Sequence, residues 1–129
     1  MVKRTIIMIV VASMLLGLAI TELVLVKTFI TDIENDVNAL VIEFESNKED
    51  ITKLTTKIEV IHEKWDTQEQ LLCLMFNHKD LSMLTDCITR VSEYCKQNNY
   101  NDGIVELKIL QEYTKKNHHI MGFNFNNIL

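Results

Sequence analysis

The sequence contains no proline and only 3 glycines in 129 residues. Collagen, proline-rich linkers and turn-dense β-sandwiches depend on these residues, so the composition argues against all three. Its 3 cysteines are too few, and odd in number, for a disulfide scaffold. Basic residues are also scarce, with 13 Lys+Arg against 18 Asp+Glu and a net charge of −5. Since nucleic-acid binding needs a basic surface that displaces counterions, we expect no nucleic-acid partner.

Motifs of catalysis and metal binding are lacking as well. The sequence has no Gly-rich phosphate loop and no H-E-x-x-H, G-x-S-x-G or EF-hand pattern. We therefore expect a protein that is not an enzyme, with no catalytic residues and no cofactor. The cysteines form no C-x-x-C motif, and we expect Cys73, Cys87 and Cys95 to be free thiols buried as small apolar side chains.

The N-terminus carries a long apolar run. Residues 6–20 contain one polar side chain, Ser13, and apolar character resumes after Glu22. Residues 5–26 as one helix would measure about 33 Å, enough to cross a hydrocarbon core of about 30 Å. The run therefore predicts a transmembrane signal anchor at residues 5–26.

The charges around the run predict its orientation. Lys3 and Arg4 precede it, so the positive-inside rule places residues 1–4 in the cytoplasm. Residues 27–129 then form an extracytoplasmic domain of a single-pass protein of the cell membrane. Two alternatives are a secretory signal cleaved near residues 17–19 and a pilin-like leader, which would have the polar and apolar parts in the opposite order.

Beyond the run, apolar residues recur every three or four positions from Ile30 to Met75. Written as heptads, all first positions are apolar, and two of the fourth positions, Asn47 and Gln68, are polar. This spacing predicts helices that bury one stripe, and is also compatible with a coiled coil. The polar cluster at residues 46–50 predicts a break there, with Asn47 capping a new helix. A continuous helix across Asn47 is the alternative.

The second half shows the same periodicity. Asn77, followed by Asp80, predicts the start of a helix. Residues 97–103 form the clearest loop, and a last helix is predicted from Ile104 to near His118 and His119, with Gly122 as its stop. The predicted fold class is all-α, with an N-terminal transmembrane helix followed by a 3–4 helix up-down antiparallel bundle. Trp65 occupies a first heptad position, and we expect it in the core.

The histidines are the one candidate for a metal site. If the last two helices form an antiparallel hairpin, His78 comes near His118 or His119, and such a cluster can bind a transition metal. We favour the simpler interpretation, in which His78 hydrogen-bonds at a helix start and the pair occupies a helix end, where positive charge is favourable. No metal site is therefore predicted.

Several of these features resemble a family of short bacterial proteins known as domain of unknown function 4363, found mainly in clostridia and their relatives. Trp65 near the end of one helix and His78 after Leu72 and Phe76 carry the resemblance, as do the apolar ladder at 81–91, the Asn-rich loop and the helix at 104–113. The closing residues complete it: His119, Ile120, Asn127, Ile128 and Leu129. The resemblance covers about residues 50–129 and the anchor-first organisation. It implies a single-pass membrane protein with a link to the cell envelope or sporulation, and no assigned activity.

Three functional hypotheses follow. The first is a structural or protein-interaction module of the cell or spore envelope, whose partners are the lipid bilayer and another membrane or envelope protein or a second copy of the chain. The second is a ligand-binding or sensory ectodomain that works with a separate membrane partner and holds its ligand in a pocket between helices. The third is a coiled-coil fusion or lysis factor, which requires an unbroken helix across Asn47.

Overall fold

The computed structural model describes residues 2–46 and 51–126, with all of their side chains except those of Ile51, Met75 and residues 117–126. These ranges contain helices and no β-strand. The helices are α1 (Val2–Ser46), α2 (Ile51–Met75), α3 (His78–Lys96) and α4 (Tyr100–Asn126). The predicted all-α class is confirmed.

The helices form a closed up-down bundle. Each helix packs against the next along the chain, and α4 packs back against α1. Two ion pairs, Lys64 with Asp36 at 2.6 Å and Lys57 with Glu43, show that α2 runs antiparallel to α1. α1 and α2 are therefore two antiparallel helices rather than one continuous helix, and Asn47 lies outside the described residues. This reversal removes the long coiled coil that a fusion or lysis factor of the predicted kind requires.

The core consists of the predicted apolar stripes. The most deeply buried large side chains, all below 2 % exposure, include Trp65, Phe44 and Ile58. Each removal of such a side chain from water stabilises the fold by about 1.5–3 kcal/mol. The buried apolar residues from all four helices form a single cluster: Val26, Ile30, Ile33, Val37, Leu40, Val41, Phe44, Leu54, Ile58, Ile61, Trp65, Leu72, Leu81, Leu84, Cys87, Ile88, Val91, Cys95, Leu107 and Leu110.

Helix α1 has two parts with different surroundings. Every residue from Val2 to Leu25 is exposed, and Val26 is the first buried residue, at 3 % exposure. Within α1 an 18-residue window reaches a mean hydropathy of 2.5 and is 6 % buried. By length and composition, this is a candidate membrane span. We call Val2–Leu25 the exposed apolar segment and Val26–Ser46 the bundle half of α1.

The turns differ in part from the prediction. Asn77 caps α3 as expected, since its Oδ1 accepts a hydrogen bond from the backbone N–H of Lys79 at 3.0 Å. The predicted loop at 97–103 is shorter, because α4 already begins at Tyr100. Asn99 ends the loop: its Nδ2 donates to Asp102 Oδ2 at 2.7 Å, and its backbone oxygen accepts from the N–H of Gly103. An Asn followed three residues later by Asp is thus a helix start here rather than loop sequence.

A Schellman motif ends α3. Asn98 has a φ of 54°, and its N–H donates to the carbonyl of Cys95, while the N–H of Asn99 donates to the carbonyl of Tyr94. These bonds satisfy carbonyls that the helix end leaves free. Asn98 therefore occupies the left-handed position that glycine usually fills, which allows a three-residue connection between α3 and α4.

The end of α4 is a second correction. The helix was expected to stop near His118 and His119 with Gly122, but its backbone continues to Asn126. One glycine costs a helix about 1 kcal/mol relative to alanine, which does not by itself end a helix. The sequence has no proline to stop the helix more firmly.

Replacing Asn98 tests the left-handed turn. Asn98→Gly removes the steric cost of a side chain at positive φ and should raise the free energy of unfolding by about 0.5–1 kcal/mol, whereas Asn98→Ala should lower it by a similar amount. Urea unfolding of the full chain in detergent, followed by circular dichroism, measures both. Equal stabilities of the two variants would contradict the assigned turn.

Candidate functional site

The buried polar relay around Trp65 is the most specific side-chain arrangement in the bundle. Trp65 is fully buried, and its indole Nε1 donates to the hydroxyl of Thr85 at 2.9 Å. That hydroxyl donates to Glu69 Oε1 at 2.7 Å. A tryptophan in a core needs such a partner for its N–H. The relay joins α2 to α3 and leaves the indole with no free polar group for a ligand.

Helix α1 contacts α2 and α4 at both ends of its bundle half. Phe29 lies against Trp65, with ring centroids 6.2 Å apart, and Phe44 stacks on Tyr100 at 5.1 Å. The hydroxyl of Tyr100 donates to the backbone carbonyl of Phe44. Between these ends, Gln111 Nε2 donates to Asn38 Oδ1 at 2.7 Å. These contacts set the position of α1 against α2 and α4.

The cysteines are free thiols, as predicted. Cys87 and Cys95 are buried, and Cys73 is half-buried. Burial raises the pKa of Cys95 to about 11. Burial also raises the pKa of Cys87, against the opposing effect of Arg90, whose guanidinium donates to the Cys87 sulfur at 3.3 Å. Both thiols therefore stay protonated near neutral pH and behave as apolar side chains rather than nucleophiles or metal ligands.

Arg90 also reaches α4. Its Nε lies 3.0 Å from Glu106 Oε2, and hydrogen bonding to Glu106 raises the pKa of the guanidinium. Together with the sulfur contact, this pair links α3 to α4 beside a buried thiol. Glu106 is only half-buried, so the pair is a structural ion pair at the bundle surface.

The interpretation in which the histidines form no metal site stays a prediction. His78 is the first residue of α3 and is exposed. The close approach of Gly103 to Tyr94 indicates the register of α4 against α3. Because the two helices are antiparallel, the same register places His78 level with positions near 119. The side chains of His118 and His119 lie outside the described part of the chain. Among the described residues, no group of three His, Cys, Asp or Glu side chains is arranged to hold a metal ion.

The other predicted positions are placed as follows. Lys3 and Arg4 are exposed in the first turn of α1, at the far end of the exposed apolar segment from the bundle. Trp65 is in the core, as predicted. Asn127, Ile128 and Leu129 lie outside the described residues.

Two surface grooves run between α1 and α2. One, of about 370 Å³, is lined by Ala39, Val60 and the ion pairs of Asp36 and Glu43. The other, of about 300 Å³, lies nearer the exposed apolar segment and includes Leu25, Phe29 and Leu71.

Among the side chains that the structure describes, five large apolar ones are exposed on the bundle itself. Ile42 on α1 is 67 % exposed, and Val105 and Ile109 on the neighbouring α4 are 56 % and 37 % exposed. Val60 and Leu74, both on α2, are 58 % and 82 % exposed. Single exposed apolar residues are ordinary, so only their grouping carries information.

Comparison with known proteins gives one result. Residues 21–128 match the protein family described as Domain of unknown function (DUF4363). The chain belongs to this family. No curated protein and no solved structure matches it. The family match begins in the exposed apolar segment, well before the predicted start near residue 50, so the family unit includes the bundle half of α1. It ends one residue before Leu129.

Sequence reasoning missed Thr85 and Glu69. Thr85 follows directly after Leu84 in the apolar ladder of α3 and four residues after Leu81. A hydroxyl at such a half-buried position is a usable signal for a hydrogen bond to a buried indole. Its partner was not predictable, because the relay depends on the register between α2 and α3.

Replacing Thr85 tests the relay. Thr85→Val keeps the shape but leaves the Trp65 N–H unsatisfied in the core, which should cost about 1–3 kcal/mol of unfolding free energy. Thr85→Ser should retain most of the stability. Thr67→Val, at an exposed position on α2, is the control and should change stability by less than about 0.5 kcal/mol. Urea unfolding followed by circular dichroism measures all three, and equal effects of Thr85→Val and Thr67→Val would refute the relay.

Thiol reactivity tests the burial of Cys95. With its pKa raised from 9.0 to about 11, the thiolate is roughly 100-fold scarcer at pH 8 in the folded than in the unfolded chain. A variant that retains only Cys95 should therefore react with iodoacetamide at least 100-fold more slowly when folded than in urea. Because the unfolded thiol loses its proton first, this group should also reduce stability as the pH rises from about 9 to about 11. A variant that retains only half-buried Cys73 is the comparison, and equal folded-state rates for the two would contradict the burial.

Proposed function

We propose that this protein is a membrane-anchored, extracytoplasmic helical module with a structural or protein-interaction role in the cell or spore envelope, and that it is not an enzyme. The observation that carries the proposal is the change of surroundings within α1. One continuous helix supplies a buried stripe to the bundle from Val26 onward and leaves Val2–Leu25 exposed and apolar. Such a surface is costly in water and is satisfied in a lipid bilayer.

The charge distribution supports the proposed orientation. Lys3 and Arg4 lie at the N-terminal end of the exposed apolar segment, and the acidic residues of the chain, apart from Glu22, all follow it. The positive-inside rule then assigns the N-terminus to the cytoplasm and the bundle to the outside.

The exposed side chains of α1 and α4 support an interaction role. Ile42 on α1 and Val105 with Ile109 on α4 lie on neighbouring helices in the half of the bundle away from the exposed apolar segment. Lys108 of α4 pairs with Glu45 of α1 at 2.7 Å. This ion pair shows which residues of the two helices lie at the same height along the bundle. Protein contacts typically combine apolar side chains at the centre with polar and charged side chains at the rim. We assign this α1–α4 face, defined by Ile42, Val105 and Ile109, to a membrane or envelope protein or a second copy of the chain.

A sensory ectodomain is the second candidate, and the groove of about 370 Å³ between α1 and α2 is the observation in its favour. Its apolar floor at Ala39 and Val60 is flanked by two ion pairs. A ligand there would bind on the surface of the bundle, since the described core around Trp65 and Phe44 is filled by buried side chains.

Crosslinking on intact cells tests the proposed function. A photo-crosslinking amino acid at position 105 should capture a protein partner or a second copy, and a membrane-impermeant protease should digest the bundle without lysis. The same amino acid at position 60, in the groove between α1 and α2, is the control outside this face. Adding Ile109→Asp should abolish the capture at 105. Identical capture at 105 and 60 would refute the face, and protection from the protease would refute the orientation.

A further inference from the structure

The end of the bundle that meets the exposed apolar segment has a surface of its own. From the Asp36–Lys64 pair, ten residues back along α1 lead to Val26, and ten residues forward along α2 lead to Leu74. Because the two helices are antiparallel, both steps run about 15 Å in the same direction. Leu74 therefore lies level with the point where α1 leaves the bundle. The groove that joins Leu25 of α1 to Leu71 of α2 confirms that these helix ends are adjacent.

Leu74 is unusually open for its size. At 82 % it is the most exposed large apolar side chain in the described part of the chain, ahead of every large apolar side chain of the exposed apolar segment. Leu25, on the neighbouring helix at the same end, is 59 % exposed. The apolar surface of α1 thus continues onto α2 at this level instead of stopping where the bundle begins.

Two lysines flank this surface. Lys27 follows Val26, and Lys79 lies in the first turn of α3, just beyond the short connection from α2. Among the described residues, neither has a carboxylate within 4.0 Å, whereas Lys57, Lys64 and Lys108 farther along the bundle are all paired. Long lysine side chains beside an apolar surface can extend their ammonium groups to lipid phosphates.

We propose that this end of the bundle, defined by Leu25, Lys27, Leu74 and Lys79 and called the base, rests in the interface of the lipid bilayer that α1 spans. The inference depends on the proposed membrane anchoring and adds a second point of contact, on α2. Two separate contacts restrict tilting of the bundle about the point where α1 leaves the membrane. The outer α1–α4 face is then held at a fixed height above the lipid.

Apolar insertion, rather than lipid charge, should drive this contact. Asp80 follows Lys79 directly, and Asp32 lies five residues beyond Lys27 on α1, so carboxylates partly offset the charges of the two lysines. Attraction to anionic lipid scales with net basic charge, which these carboxylates reduce. The base should therefore sit equally deep in zwitterionic and anionic bilayers.

Fluorescence quenching by brominated lipid tests the base in the full-length chain. Leu74→Trp and Val60→Trp are matched, since both positions are outward on α2 and are two heptads, about 21 Å, apart along the helix. Trp65, the one native tryptophan, is buried and gives both variants the same background. Leu16→Trp, in the exposed apolar segment, reports on the anchor itself. All three are reconstituted in phosphatidylcholine vesicles with and without acyl-chain bromination.

We expect bromination to remove at least half of the added fluorescence in Leu74→Trp and Leu16→Trp, and to leave Val60→Trp unchanged. Quenching of Leu16→Trp without quenching of Leu74→Trp would overturn the base contact and leave the anchor intact. Absence of quenching in both would overturn the anchor and the base contact together. Quenching of Leu74→Trp only when phosphatidylserine is added would overturn apolar insertion as the cause.

Discussion

The packing of the bundle half of α1 is the constraint on which the rest of the structure depends. This half-helix fills one of the four sides of the bundle and is held at both ends by aromatic contacts, Phe29 with Trp65 and Phe44 with Tyr100. The same helix continues without a break into the exposed apolar segment. No linker separates the two parts, so any force on the segment acts directly on the core. Bundle and segment thus share one axis at the point where they meet.

Much of this fold was predictable from the sequence, because a helix that buries one stripe has apolar residues at every third or fourth position. Apart from half-buried Gln68, the described heptad positions from Ile30 to Leu72 are buried, and the start of α3 at Asn77 was visible from its capping residues. The α3–α4 connection was not, because Asn98, Asn99 and Asp102 suit a loop and a helix cap equally well. Only the positive φ of Asn98 and the hydrogen bonds of Asn99 decide between them. The candidate surfaces were harder still, since the level of Leu74 beside Val26 follows from the register of two helices and not from either helix alone.

The extent of the family match agrees with this division of α1. It begins at residue 21, five residues before the first buried residue, and continues almost to the end of the chain. A four-helix bundle without its first helix would expose the inner sides of α2 and α4, so the bundle half of α1 belongs to the folded unit. Most of the exposed apolar segment lies outside the match. A bilayer requires length and apolar character there rather than particular residues, which is the expected difference between a packed core and a membrane span.

The interactions that fix the helix registers differ in strength along the bundle. The ion pairs between α1 and α2, Lys64 with Asp36 and Lys57 with Glu43, are exposed to solvent, and such pairs contribute about 0–1 kcal/mol. The fully buried indole of Trp65 donates to the half-buried hydroxyl of Thr85, and a slip of one residue would leave the indole N–H unsatisfied. The register of α2 against α3 is therefore specified by a buried polar group, and that of α1 against α2 by the apolar stripe. Because Trp65 contacts α1 through Phe29 as well, it couples the two registers, and the position of Leu74 relative to Val26 follows from both.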